Sequence, residues 1–258
     1  MTDPDTPLLP LSGLQKAMIG IAMVAMGAGM SINFVVVAPL ARKAGLTEIE
    51  VAGILTLSAA VYALLIPAWG RLADRFGRKR VMIFYLSAMG LTNMAFVFAL
   101  NAALAGLVTG LTAFFTLVFV RIWFGLLSPG LQPAAMAAMT DATTPMTRAG
   151  GLGMLGACVS IGSILGPAGA TVLAPFGALM PIWGTIVLNL AVAVILAIVL
   201  PATRKRPKTA KRPTPLAVRD PRVFPHLVFL FSYFIGIGIV QQTLSWFIED
   251  RYKFVDTA

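Results

Sequence analysis

Long apolar runs dominate this 258-residue sequence. A helix needs about 20 mostly apolar residues to cross a membrane. Seven segments meet that length, at residues 14–40, 48–69, 80–100, 104–139, 148–174, 178–200 and 223–247. Only 12% of all residues are charged, whereas a soluble domain carries about 25%. The sequence therefore predicts an all-α, multi-pass integral membrane protein.

Two local patterns refine these segments. Thr47 and Glu50 have the spacing of a capping box before the second segment, so each is expected to satisfy a free amide at the start of that helix. The fourth segment is too long for one straight span. Pro129 and Pro133 are expected to kink it, because proline lacks the N–H that a helix interior requires.

The positions of the charges predict the orientation in the membrane. The net charge is +10, and the basic residues cluster in short segments between the apolar runs. With the N-terminus in the cytoplasm, fifteen of the 20 Lys and Arg residues lie on the cytoplasmic side and four outside. This pattern favours membrane orientation over nucleic-acid binding as the reason for the charge. It predicts a cytoplasmic N-terminus.

The composition also argues against several kinds of chemistry. Cys158 is the single cysteine and His226 the single histidine, so neither a disulfide framework nor a histidine metal cluster is expected. Nucleotide-binding loops and nucleophile elbows are missing from the sequence as well. We therefore expect no cofactor, no metal and no enzymatic activity.

The apolar and basic segments predict five regions. These are a cytoplasmic tail at 1–13, a six-helix bundle at 14–200, a cytoplasmic linker at 201–222, a seventh transmembrane helix at 223–247 and an external loop at 248–258. The linker is rich in proline and basic residues, which predicts an extended, solvated connection; a contact with anionic lipids is the alternative. Six helices before this linker also suggest two sets of three.

The segment between the second and third spans carries the most specific pattern. Residues 70–79 read Gly-Arg-Leu-Ala-Asp-Arg-Phe-Gly-Arg-Lys. A loop that only sets orientation needs the cations, but neither the two glycines nor the carboxylate of Asp74. Gly70 and Gly77 permit close backbone approach or unusual torsions, and Asp74 can pair with an arginine. We interpret the segment as a tight cytoplasmic turn.

This run resembles the loop signature of the major facilitator superfamily. The resemblance implies an N-terminal bundle of six helices, built from two inverted three-helix repeats, plus the seventh helix. In that family the aspartate and arginines form a latch on the cytoplasmic side that releases as the transporter changes state. Carried over by position, the latch residues are Gly70, Asp74, Arg75, Gly77, Arg78 and Asp141. Arg78 would pair with Asp141, the acidic residue that ends the fourth span.

Arg121 is a charged residue inside the fourth span. A charge within the membrane costs a few kcal/mol at least, which indicates either a function or a structural pair. Residues 121–125 read Arg-Ile-Trp-Phe-Gly and resemble the helix-four motif of the superfamily, in which the arginine is linked to proton coupling. The resemblance makes Arg121 a coupling candidate.

Small residues in the fifth span form a further motif. Its members are Gly153, Gly162, Gly166 and Pro167. Such glycines allow another helix to approach closely, and proline introduces a bend. The spacing resembles the signature of the drug–proton antiporter branch, although the two glycines that end that signature are replaced by Ala170 and Thr171. The resemblance favours antiport.

Uncharged amides within the spans are candidates for a substrate cavity. Asn33, Gln132 and Gln241 must face either a hydrogen-bond partner on another helix or a wet cavity. No carboxylate lies deep within any of the seven segments, although many drug–proton antiporters carry one in their first half. Proton coupling would then depend on Arg121 and its partners, or on residues outside this sequence.

The resemblance implies a secondary transporter that works by alternating access, with multidrug or small-molecule efflux coupled to protons. A carrier of one metabolite, such as a sugar or an organic anion, is the alternative within transport. A truncated, non-transporting membrane protein is the other alternative. The expected partners are a small-molecule substrate, protons and membrane lipid, with no nucleic acid.

Family members have two six-helix bundles, so the second bundle is expected to be missing from this chain. We interpret the chain as a fragment that needs the missing C-terminal half to form a complete transporter. The expected location is the cytoplasmic (inner) membrane of a bacterium.

Overall fold

The structure is a computed structural model that describes residues 11–201 and 220–252. Only the backbone is described for residues 34, 38 and 241–252. The chain divides into two compact units, Met1–Pro207 and Lys208–Ala258, and each is considered by itself. The described residues of both units contain helices and turns but no β-strand.

The described residues of the first unit form seven α-helices, and those of the second form one. They are α1 (Gly13–Lys43), α2 (Glu48–Phe76), α3 (Arg78–Leu104), α4 (Gly110–Leu127), α5 (Leu131–Asp141), α6 (Arg148–Leu173), α7 (Met180–Val199) and, in the second unit, α8 (Phe224–Tyr252). Helices α4 and α5 together make one span, so residues 11–201 contain six spans that are long and apolar enough to cross a membrane. The predicted seventh span falls on α8, whose described apolar part, Phe224–Val240, is shorter. The all-α multi-pass fold is confirmed.

Side-chain caps fix the starts of the first two helices. Glu50 accepts a hydrogen bond from the Thr47 amide at 2.7 Å, and Thr47 Oγ1 accepts one from the Glu50 amide at 3.4 Å. The predicted capping box is therefore confirmed. Ser12 and Gln15 form a second capping box at α1, which leaves both helix starts with satisfied amides.

The junction between α2 and α3 is shorter than the predicted turn at 70–79. Helix α2 continues to Phe76 and α3 begins at Arg78, so Gly77 alone connects them. Its φ of +95° lies in a region that glycine adopts without steric cost. The charged residues before it are exposed and solvated, so nothing ends the helix until Gly77 redirects the chain.

The fourth predicted span is divided into two helices. The break at residues 128–130 contains Pro129, where an interruption was expected. Pro133 is the third residue of α5, a position at which the missing N–H has no intrahelical partner to lose. Helix α4 begins at Gly110 instead of residue 104, because α3 extends to Leu104 and a turn through Gly106, with φ +71°, follows it.

The helix contacts of the first unit confirm two three-helix repeats. Helix α1 packs against α6 and α7, whereas α4 packs against α2 and α3, and α3 packs against α7. The first three spans are α1, α2 and α3, and the last three are α4 with α5, α6 and α7. If each of the first three is exchanged with its counterpart in the last three, the same set of contacting pairs results. In the most apolar 18-residue stretch of each span, 62% of α1 and 61% of α3 are buried, whereas the value is 17% both for α2 and for the span Arg148–Phe176 that contains α6. The core of the bundle therefore follows α1 and α3.

Candidate functional site

Arg78 connects three helices at one end of the bundle. It is the first residue of α3, and Gly77 places it between α2 and α5. Its Nη1 atom donates to Oδ2 of Asp141 and to the carbonyl oxygen of Ala137, both on α5. Its Nη2 atom lies 3.9 Å from Oδ1 of Asp74 on α2. We call Asp74, Arg78 and Asp141 the clasp.

Helix electrostatics explain why Arg78 is held there. Asp141 is the last residue of α5, where the helix dipole already presents negative charge, and the last turn of α5 has no basic residue. The guanidinium of Arg78 offsets the charge of the carboxylate and also donates to the carbonyl oxygen of Ala137. Because the side chains of Arg78 and Asp141 are 14% and 27% exposed, water reaches the ion pair, and its stabilisation is modest. Such a contact is strong enough to form and weak enough to break.

Asp74 plays a different part in the clasp. Its side chain is 47% exposed, and 3.9 Å from Arg78 is too long for a hydrogen bond. Arg78 therefore attracts the carboxylate, but the oxygen atoms of Asp74 can still accept hydrogen bonds from other donors. It remains at the surface, where a further donor could reach it.

The other predicted latch residues lie beside the clasp. Gly70 is within α2, and a Cβ atom there would lie 3.9 Å from Cβ of Pro133, an ordinary contact distance. Arg75 is exposed, with its guanidinium carbon 5.5 Å from the ring centroid of Phe76. Gly77 supplies the turn. The structure thus brings together Asp74, Arg78 and Asp141, and it places Gly70 and Arg75 near them without a direct role in that contact.

Arg121 is enclosed at the centre of the bundle, with 3% of its surface exposed. Its Nη2 atom donates to Oδ1 of Asn33 on α1 at 2.6 Å, and Nδ2 of Asn33 donates to the carbonyl oxygen of Gly29 at 2.6 Å. The guanidinium carbon lies 4.0 Å from the ring centroid of Phe96 and 5.3 Å from that of Phe124. One amide and two aromatic faces therefore surround the charge.

No ion pair joins Arg121 to a carboxylate in the part of the chain that the structure describes. Its Nε atom is buried without a hydrogen-bond partner among the described residues. Partial charges of the Asn33 amide and the ring faces balance the cation only in part. A guanidinium stays protonated in proteins, so Arg121 cannot release a proton and take it up again. Its positive charge could act only on the protonation of a neighbouring group.

Two of the three motif glycines make close backbone contacts between α6 and α1. A Cβ atom at Gly162 would overlap the carbonyl oxygen of Val24, and one at Gly166 would lie 2.7 Å from the carbonyl oxygen of Ala28. On α1, a Cβ atom at Gly27 would in turn overlap the backbone of α6. The two helices therefore approach at a distance that only glycine permits.

The remaining motif members lie outside this close approach. Gly153 is exposed, and a Cβ atom there would meet nothing within 4 Å. Pro167 lies inside α6, which continues to Leu173. The spacing of the motif therefore marks the contact with α1 at Gly162 and Gly166, and not at Gly153.

The three cavity candidates are placed differently. Asn33 is buried, with 7% exposure, and its oxygen is bound to Arg121. Gln132 is exposed as the second residue of α5. The side chain of Gln241 lies outside the described residues. The structure does not bring Asn33 and Gln132 together, and their shared cavity stays a prediction.

Sequence reasoning missed two contacts. It treated Asn33 as a cavity residue, although the apolar surroundings of Arg121 require some polar partner from another helix. It also gave no role to Lys79, whose Nζ atom donates to the carbonyl oxygens of Ala197, at 2.7 Å, and Leu200. The available signal was the last turn of α7, which contains no basic residue.

Comparisons with known proteins agree with this architecture. The family model described as Major Facilitator Superfamily matches residues 17–255. Multidrug resistance protein 2 of Bacillus subtilis is 27% identical over 198 residues, which cover 73% of this chain and 46% of that protein. Tetracycline resistance protein, class H, of Pasteurella multocida is 28% identical over 210 residues, or 78% and 49% of the two chains.

A third relative differs in its name. The triacylglyceride transporter of Mycobacteroides abscessus is 32% identical over 152 residues, which cover 58% of this chain and 27% of that protein. The chain spans about half the length of the multidrug resistance and tetracycline resistance proteins that it matches.

Proposed function

The chain belongs to the Major Facilitator Superfamily, and from that premise we propose that it forms the first bundle of a secondary transporter that works by alternating access. A second bundle would complete the substrate path, as the greater length of its relatives suggests. The substrate class we propose is small amphipathic compounds, exported in exchange for protons. Two relatives named for drug resistance support this class.

The clasp is the observation that carries the proposal. A transporter needs contacts that one state makes and another state breaks, because a ligand can shift an equilibrium only between states that differ in such contacts. The ion pair of Arg78 with Asp141 is partly solvated and joins helices of the two different repeats. The carboxylate of Asp74 remains at the surface beside it, available to the second bundle in one of the two states.

The charge distribution supports a cytoplasmic position for the clasp. With the N-terminus placed inside, the topology predicted from the sequence puts fifteen of the 20 basic residues on the side of the N-terminus and of the segment between the second and third spans, as the positive-inside rule expects of the cytoplasmic side. We place the protein in the cytoplasmic membrane of a bacterium with its N-terminus inside. Cysteine labelling of an exposed residue such as Arg80→Cys, with an impermeant reagent on intact cells, tests this orientation after Cys158→Ser removes the native thiol. Labelling without lysis would contradict it.

An efflux assay tests the function. Cells that express the protein are loaded with several chemically unrelated fluorescent dyes, and the rate of dye loss is followed with and without a protonophore. We expect faster loss of more than one dye, and we expect the protonophore and Arg78→Gln each to abolish the difference. No faster loss of any dye in energised cells would contradict a multidrug transporter.

A carrier of long-chain lipid is the second candidate, because the third relative is named a triacylglyceride transporter. Membrane vesicles that contain the protein and a fluorescent triacylglyceride distinguish the two. Transfer of the lipid without movement of any dye would replace the drug proposal by this one.

A further inference from the structure

Helix α7 ends without a cap of its own. Its last turn contains no basic residue, and its C-cap, Leu200, has an extended backbone with φ −77° and ψ 135° instead of the left-handed turn that commonly closes a helix. The last carbonyl groups of a helix have no partner within it. Leu200 is 4% exposed, so water has little access to its carbonyl group, whereas Ala197 in the same turn is exposed.

Two side chains from other helices supply the missing cap. Lys79, the second residue of α3, donates from Nζ to the carbonyl oxygens of Ala197 and Leu200. Gln15 on α1 donates from Nε2 to the carbonyl oxygen of Val199 at 3.4 Å. Three terminal carbonyls of α7 are therefore bound from outside the helix. The Lys79 cation also lies where the helix dipole favours positive charge.

Successive residues of α3 thus have separate partners. Arg78 binds the end of α5, Lys79 binds the end of α7, and Arg80 is exposed. The Arg78 contact is to a side chain, which can be exchanged for another. The Lys79 contact is to backbone carbonyls, which stay in place as long as α7 is helical.

We propose that Lys79 is a positioning residue that anchors the end of α7 to the α2–α3 junction. The anchor keeps α3 and α7 together as one body while the Arg78–Asp141 contact opens. It also fixes the point at which the chain leaves the bundle, since Pro201 follows Leu200 directly. The assignment rests on the proposed function for its role in transport, but the anchor itself can be measured without transport.

Amide hydrogen exchange tests the anchor directly. We compare the wild-type protein with Lys79→Met, which keeps the length of the side chain and removes its charge. Exchange of the amides at residues 198–200 should become about tenfold faster, because a charge-assisted hydrogen bond is lost. Amides at 184–190, in the middle of α7, should not change. Equal exchange at 198–200 in the two proteins would overturn the proposal.

Three further variants separate the anchor from a general loss of positive charge. Arg80→Met removes the neighbouring exposed cation and should leave exchange at 198–200 unchanged, whereas Lys79→Arg should restore most of the protection. Ile198 is 77% exposed in the last turn of α7, so Lys79→Met combined with Ile198→Lys gives α7 a cation of its own. This pair should recover protection. An Arg80→Met effect as large as that of Lys79→Met would overturn the assignment.

Dye efflux by the same variants tests the role in transport. Lys79→Met should slow efflux severalfold and Lys79→Arg should restore it, while Arg80→Met keeps the wild-type rate. If the wild-type protein moves no dye but exchange at 198–200 rises in Lys79→Met, the anchor stands and the proposed transport fails. If the wild-type protein transports and Lys79→Met transports equally well, the positioning role is wrong.

Discussion

Two arginines in this bundle are held in opposite ways. Arg78 lies at the end of the bundle and pairs with the carboxylate of Asp141 in a place that water reaches. Arg121 lies at the centre, with 3% exposure, and has an amide and two rings for partners instead of a carboxylate. Breaking the first contact returns both charges to water at little cost. Breaking the second leaves a cation in an apolar interior.

This difference shows which part of the bundle is able to move. The contact between α1 and α6 is backbone against backbone at Gly162 and Gly166, so it has no alternative arrangement nearby. The clasp consists of side chains that have such alternatives. We therefore expect the centre of the bundle to determine stability and its end to determine the rate of transport.

The largest effect on stability should come from removing the partner of Arg121. Asn33→Leu leaves the guanidinium without its hydrogen-bond acceptor and should lower the free energy of unfolding by about 3 kcal/mol. Thermal unfolding in detergent micelles measures it. The double variant Asn33→Leu with Arg121→Met removes the charge as well and should recover most of the loss. A double variant less stable than Asn33→Leu would show that the charge itself stabilises the centre.

The next effect concerns the α1–α6 contact. Gly162→Ala places a Cβ atom against the carbonyl oxygen of Val24 and should destabilise the protein by about 2 kcal/mol, because the two backbones must separate. Gly153→Ala is the matched control in the same helix. It meets nothing within 4 Å and should stabilise by up to about 1 kcal/mol, since alanine favours helix. Equal melting temperatures would contradict the assigned contact.

At the clasp we expect a small change in stability and a large change in transport. Asp141→Asn should lower the free energy of unfolding by about 1 kcal/mol and slow dye efflux at least severalfold. The charge-swapped double variant, Arg78→Asp combined with Asp141→Arg, should recover part of the efflux. An acidic residue then begins α3 and a basic residue ends α5, which is the arrangement that both helix dipoles favour. Efflux by the exchanged pair no better than by Asp141→Asn would contradict a pairwise contact.

The smallest change in stability should come from Asp74→Asn. Its carboxylate is half exposed and makes no hydrogen bond to Arg78, so the free energy of unfolding should change by less than about 0.5 kcal/mol. Insertion into the membrane should be unchanged, while efflux should fall sharply because the contact that we propose between Asp74 and a second bundle would be lost. Efflux at the wild-type rate would remove the role that we assign to Asp74.

Much of this architecture could be predicted from the sequence. The lengths of the apolar segments predicted seven spans, and the first six are among the described helices long and apolar enough to cross a membrane. The Thr47–Glu50 spacing predicted a cap, and Pro129 predicted the break in the fourth span. These features depend on residues close together in the chain. The extension of α2 to Phe76 was not predicted, because hydropathy marks where a membrane ends and not where a helix ends.

The sequence alone determined that the chain crosses a membrane repeatedly, because apolar length and the requirement to satisfy every backbone hydrogen bond leave no other option. Only the tertiary structure decided that Asn33 faces Arg121, that Lys79 caps α7, and that Gly162 contacts α1 while Gly153 does not. Each of these joins residues far apart in the chain. The spacing within one helix shows which residues share a face, but the packing of the helices decides what that face meets.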